Sequence, residues 1–122
     1  MFEKPYVVYI VTNKLRTVLY TGVTNSLKDR IIEHYKNRDN KKTFAGKYQA
    51  HYLLYYESFD QIMEAIWREK EIKGWSRKKK MALINTLNPQ LEFLNEKIFG
   101  CWPPIEITRH LNSNNQVPPS SG

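Results

Sequence analysis

Cysteine is almost missing from this chain: Cys101 stands alone among 122 residues. A single thiol excludes an intrachain disulfide and any cysteine-based zinc spacing, and it points to a reducing compartment. Long apolar runs are missing too. The first, Tyr6 to Val11, is too short for a signal segment and far too short to span a bilayer, so a cytoplasmic protein with no membrane partner is expected. No internal repeat is found. Acidic residues are the scarce charge: 12 Asp and Glu stand against 19 Lys and Arg, a formal net charge of +7. That balance suits a polyanion binder. With 41% hydrophobic and 25% charged residues the composition is globular, and the length suits one domain better than two.

What is present reads as alternating elements. "YVVYIV" is β-branched and aromatic, apolar on both faces, and therefore suits a central strand. "TNKLRT" supplies turn residues, and "VLYTG" reads as a second strand closed by Gly22. A turn symmetric about Lys14 and Leu15 would set Tyr9 directly opposite Tyr20. A helix follows, with Ser26 as N-cap and Asp29 completing a capping-box-like "SLKD". Its buried stripe is Leu27, Ile31, Ile32 and Tyr35, and Arg30 and His34 share the stripe's edge. "NRDNKKTFAGKYQA" reads as an exposed basic loop, and "HYLLYYES" as a third strand. Two further helices are expected, one capped by Asp60 and one running from Ser76 to a stop at Pro89. "QLEFLNEKIFG" suits a last turn or short helix. The expected domain covers residues 1–98, and 99–122, rich in proline and polar residues, read as a flexible tail.

The helix from Asp60 carries an anomaly. With Ile62 at 0°, Ala65, Ile66 and Ile72 fall at roughly 300°, 40° and 280°, while Glu69 falls at roughly 340°. A carboxylate in the middle of an apolar stripe is costly without a cation, either a metal or a paired arginine such as Arg30. A lone carboxylate, an arginine, a histidine and a tyrosine pair in one concave site match metal-assisted phosphodiester hydrolysis. The metal takes charge from the phosphate, arginine donates to it, and tyrosine or histidine handles water. The run Arg77, Lys78, Lys79 and Lys80 fits either a solvated helix face or a contact to a nucleic-acid backbone.

These residues, in the order Tyr…Tyr-x-Gly…Arg…His…Glu, resemble the GIY-YIG nuclease superfamily, in particular its small stand-alone bacterial branch related to the excinuclease N-terminal domain. The name-giving triplets stand here as Val7-Val8-Tyr9 and Tyr20-Thr21-Gly22, followed by "GVTNSLKDRIIEH" and "AIWREKEIKGWSRKKKMALI". The tyrosines, Gly22, Arg30 and Glu69 are kept, whereas the first glycine and both isoleucines are replaced. The resemblance implies an α+β fold, a small antiparallel three-stranded sheet in the order β-β-α-β-α-α. It implies a metal-dependent endonuclease acting on DNA, with a place in repair or recombination. In that reading Glu69 is the one protein ligand of Mg2+ or Mn2+, and Arg30 binds the scissile phosphate. Tyr9 activates or positions water, Tyr20 assists at the phosphate, and His34 is an auxiliary proton-transfer or phosphate group. Asn88 completes the site, with Asn85 as the runner-up, and Lys47 and Tyr48 touch the nucleic-acid backbone. A second reading keeps the fold as a nucleic-acid-binding module with little catalysis. Nothing in the sequence separates DNA from RNA. The absence of an attached DNA-targeting module points to a targeting protein partner.

Overall fold

Both faces of the first strand are apolar, and the chain covers both. The structure, a computed structural model, describes residues 4–104. It contains strands β1 (Tyr6–Thr12), β2 (Leu19–Thr24) and β3 (Tyr52–Phe59). The helices are α1 (Leu27–Lys36), α2 (Phe44–Lys47), α3 (Ile62–Lys73), α4 (Arg77–Leu87) and α5 (Asn95–Phe99). The sheet is antiparallel in the order β2-β1-β3, so the most apolar strand is central, as its composition requires. The expected α+β series β-β-α-β-α-α is present, with the short helices α2 and α5 added to it.

Strand alternation divides the core in two. Val7, Tyr9, Val11 and Leu53 face Leu27 and Ile31 of α1, together with Ala45 and Ala50. Val8, Ile10, Leu54 and Tyr55 face Ala65 and Ile72 of α3 and Ile84 of α4. Leu54 and Tyr55 are neighbours yet point to the same side. The cause is a bulge: Ile10 pairs with Tyr55 but Val11 pairs with Leu53, which leaves Leu54 between them. Its carbonyl accepts a hydrogen bond from Asn88 Nδ2 at 3.0 Å, in place of a ladder partner.

Several expectations are corrected here. Tyr9 pairs with Gly22 and Tyr20 with Val11, a register two residues away from the symmetric turn. The reason lies in Asn13, whose side-chain oxygen accepts from Thr17 N at 2.8 Å and Val18 N at 3.3 Å. Arg16 adopts a left-handed φ of 59°, so the hairpin ends in a wider loop instead of a tight turn. Gly22 does not close β2 but lies inside it. Ser26 holds the N-cap position of α1 without a side-chain cap bond; Thr24 Oγ1 organises the entry by accepting from Ser26 N at 3.0 Å. Gln61, not Asp60, precedes α3. The supposed loop contains α2, capped by Thr43, whose hydroxyl accepts from Gly46 N. Ser76 caps α4 as expected, accepting from Lys79 N.

Packing also continues past residue 98. Phe99 and Trp102 lie against the first core, with Trp102 edge-on to Tyr35 at 5.2 Å between ring centroids. The remainder of the expected tail, residues 105–122, lies outside the described residues.

Candidate active site

Tyr9 occupies the middle of the central strand and is 1% exposed. Its ring lies across the backbone of Gly22, its partner in β2. A Cβ at position 22 would stand 2.5 Å from the phenol's Cζ, closer than any side chain tolerates. Glycine is needed here for close approach, not for a turn. The phenol oxygen lies 2.9 Å from His34 Nε2 on α1. His34 reaches the phenol because it falls on the same helix edge as Arg30, beside the stripe that buries Leu27 and Ile31.

The electrostatics assign the proton in that bond. Burial pushes the Tyr9 phenol well above its ordinary range; Tyr20, Glu33 and Glu69 add to the effect, and Arg30 opposes it. Burial, then the charge of Arg30, brings His34 down to about 4, with Glu33 acting the other way. At neutral pH a protonated phenol therefore donates to a neutral imidazole, whose own proton sits on Nδ1. Tyr20 stands edge-on to His34 at 5.7 Å between centroids and stacks on Phe44 at 5.8 Å.

Arg30 is half-exposed and lies 3.6 Å from Glu33, so it is not the partner of Glu69. Glu69 is largely covered, with 13% of its side chain exposed, and its carboxylate is 2.6 Å from Lys73 Nζ one turn further along α3. Lys73 Nζ also lies 5.9 Å from the Tyr20 ring centroid, which ties this end of α3 to β2. The structure thus gathers Tyr9, Tyr20, Arg30, His34 and Glu69 from β1, β2, α1 and α3. Lys73 was missed in the sequence, although its signal was there: a Glu followed four residues later by Lys on one helix face.

The other candidates fall elsewhere. Tyr48 joins the site's margin through Phe44, at 4.9 Å ring to ring, and Lys47 Nζ lies 5.5 Å over the Tyr48 ring. Arg77 is committed within the chain: its guanidinium donates to Arg16 O at 2.9 Å and Thr17 O at 3.1 Å, bracing the hairpin loop. Lys79 lies 4.4 Å over the Trp75 ring, Lys78 is exposed and Lys80 half-buried. All four sit on α4, across the sheet from α1. Asn88 does not complete the site. It is buried, its amide donates to Leu54 O and Glu92 O, and its oxygen accepts from Glu92 N, so every polar atom is spent on the fold. Asn85 is exposed on α4.

Among the described residues no group of three or more His, Cys, Asp or Glu stands ready to cage a metal. One covered carboxylate beside a solvent-facing margin is the donor set of a hard divalent ion that keeps most of its water, and Glu69 fits it.

Residues 5–82 match the family model described as the GIY-YIG catalytic domain. A UPF0213 protein of Staphylococcus saprophyticus is 41% identical over 83 residues, covering 68% of this chain and 96% of that one. A UPF0213 protein of Pediococcus acidilactici is 41% identical over 66 residues, covering 54% and 67%. One from Bacillus pumilus is 35% identical over 78 residues, covering 64% and 78%. No solved structure matches at a significant level.

Proposed function

Because this chain belongs to the GIY-YIG catalytic-domain family, we propose that it is a divalent-metal-dependent endonuclease that hydrolyses DNA phosphodiester bonds, with a place in repair or recombination. The observation that carries this reading is the Tyr9–His34 hydrogen bond lying within the charge fields of Arg30 and Glu69. An aromatic pair serving only as packing needs neither charge.

Glu69 would hold the Mg2+ or Mn2+ ion, which would supply positive charge to the phosphate. The chain's own groups do the rest. Arg30, half-exposed at the rim, donates its fixed fork to the phosphate as negative charge accumulates there. Tyr9 accepts a proton from the attacking water while passing its own to His34 Nε2. Tyrosinate, which burial makes costly, is then never formed. Neutral His34, kept uncharged by burial, is the terminal acceptor. The Tyr20 hydroxyl assists at the phosphate. Lys47 and Tyr48, beside Phe44, contact the nucleic-acid backbone, and the positive net charge draws the polyanion in. The reaction is cytoplasmic, and a protein partner supplies targeting.

The test is nicking of supercoiled plasmid with Mg2+ or Mn2+ against EDTA, beside Glu69→Ala. Metal-dependent nicking that disappears in the variant is the expected result. Tight DNA binding by a wild-type protein that cuts no duplex, branched or single-stranded substrate would replace the enzyme with a nucleic-acid-binding module.

A further inference from the structure

Glu69 is the ligand proposed for the metal, yet its carboxylate already has a cation. Lys73 Nζ stands 2.6 Å from Oε2, and Arg30 is engaged by Glu33 instead. The two ends of this pair are unequally placed: 13% of the Glu69 side chain is exposed, against 50% for Lys73. The carboxylate is held by its surroundings, whereas the ammonium sits at the end of a four-carbon stem with solvent beside it. Its second neighbour is the face of Tyr20, at 5.9 Å. The ammonium therefore lies between the carboxylate that would hold a metal and the tyrosine assigned to the phosphate.

We propose that Lys73 is a displaceable counter-ion: it keeps the Glu69 carboxylate neutralised and in place before metal arrives, and once the ion has taken the carboxylate it becomes a ligand of the substrate phosphate. This rests on the metallonuclease reading above and names the positioning residue that reading lacks. A covered carboxylate with no cation would be costly to hold ready, so an internal cation is required in the metal-free protein. A permanent partner would block the ion, so it must leave easily, and a half-exposed lysine does. On leaving, it has the Tyr20 margin within reach.

Mn2+ binding without DNA, by calorimetry, gives the first readout. Lys73→Gln should bind Mn2+ about fivefold tighter than the wild type, because the competitor is gone. Lys70→Gln removes the same charge from the neighbouring, exposed position on α3 and should change affinity less than about twofold. The second readout is the salt dependence of oligonucleotide binding. In Ca2+, with the DNA verified intact, Lys73→Gln should lower the log–log slope by about one relative to wild type, and in EDTA it should not. The third needs no variant: reductive methylation of Lys73, followed by mass spectrometry, should accelerate when Mn2+ is added, while Lys70 stays constant. Unchanged or weaker Mn2+ affinity in Lys73→Gln, equal tightening in Lys70→Gln, a slope unaffected in Ca2+, or labelling blind to Mn2+ would each overturn the proposal and leave the nuclease untouched. If wild type and variants alike bind no Mn2+, the metallonuclease reading falls and this inference with it.

Discussion

At the scale of single residues, the site depends on one bare backbone position. The Tyr9 ring occupies the space a side chain at Gly22 would need, so Gly22→Ala must push the phenol away from His34. If Tyr9 handles the proton as proposed, its displacement by even an ångström is worth about 100-fold in rate, and the plasmid assay should lose about that much. Circular dichroism should show the fold intact. A Gly22→Ala protein with wild-type activity would remove Tyr9 from the mechanism.

Two histidines make a separate prediction about pH. Burial first, and then neighbouring cations, bring His34 and His51 to about 4 from an ordinary 6.5. His51 Nδ1 has no hydrogen-bond partner among the described residues, so nothing there rewards its charged form. Below pH 6.5 the unfolded chain binds protons that the folded chain refuses. Stability is therefore complete above that pH and falls as pH drops from about 6.5 towards 4. The loss should be on the order of 2 kcal/mol for each histidine, read as a lower urea midpoint at pH 4.5 than at pH 7. His51→Gln should flatten the slope, and an unaltered slope would assign the loss to other groups.

Among the elements, β3 is the one most dependent on distant help. Its bulge leaves Leu54 O to Asn88 Nδ2, while Asn95 accepts from Leu53 N at 2.7 Å and donates to His51 O at 2.9 Å. Two buried amides thus fasten the chain after α4 to the strand. Asn88→Ala should cost about 2 kcal/mol by stranding those buried groups, while Mn2+ affinity and the Tyr9–His34 step persist in the folded fraction. A fall in turnover without any loss of stability would return Asn88 to the active site.

The elements also show why the sequence was legible only in part. Strand and helix periods carried the central position of β1, the buried stripe of α1 and the lodging of Glu69 on the covered side of α3. The hairpin register did not follow, because it is decided by the Asn13 oxygen bonding Thr17 N and Val18 N, a local choice that no hydrophobic pattern encodes. The two tyrosines stay together for a geometric reason. A slip of two residues keeps every side chain on its original face, so Tyr9 and Tyr20 still share one, diagonally instead of directly opposed. Asn88 was misplaced for the opposite reason: an amide before proline looks alike in sequence whether it faces a substrate or a bulge.

For the molecule as a whole, the fold and the proposed chemistry use the same inner surface. Tyr9 belongs to the first core along with Leu27 and Ile31, and Phe99 and Trp102 pack against that core from the chain's far end. Trp102→Ala should therefore destabilise the protein by about 2 kcal/mol, measured by urea denaturation, although the residue lies beyond the expected domain boundary. A negligible change would support the boundary at residue 98.

The contact between Tyr9 and Gly22 also gives the protein's history a direction. While the tyrosine keeps its ring in place against the backbone, position 22 accepts no side chain. Once the tyrosine is lost, that restriction lifts, and any larger residue that settles at position 22 closes the space to which the ring would have to return. Recovery then requires two changes, the first of which brings no benefit alone. If the proposed cutting is given up for mere binding, a descendant can reach that state in single steps, whereas the way back is barred by its own backbone.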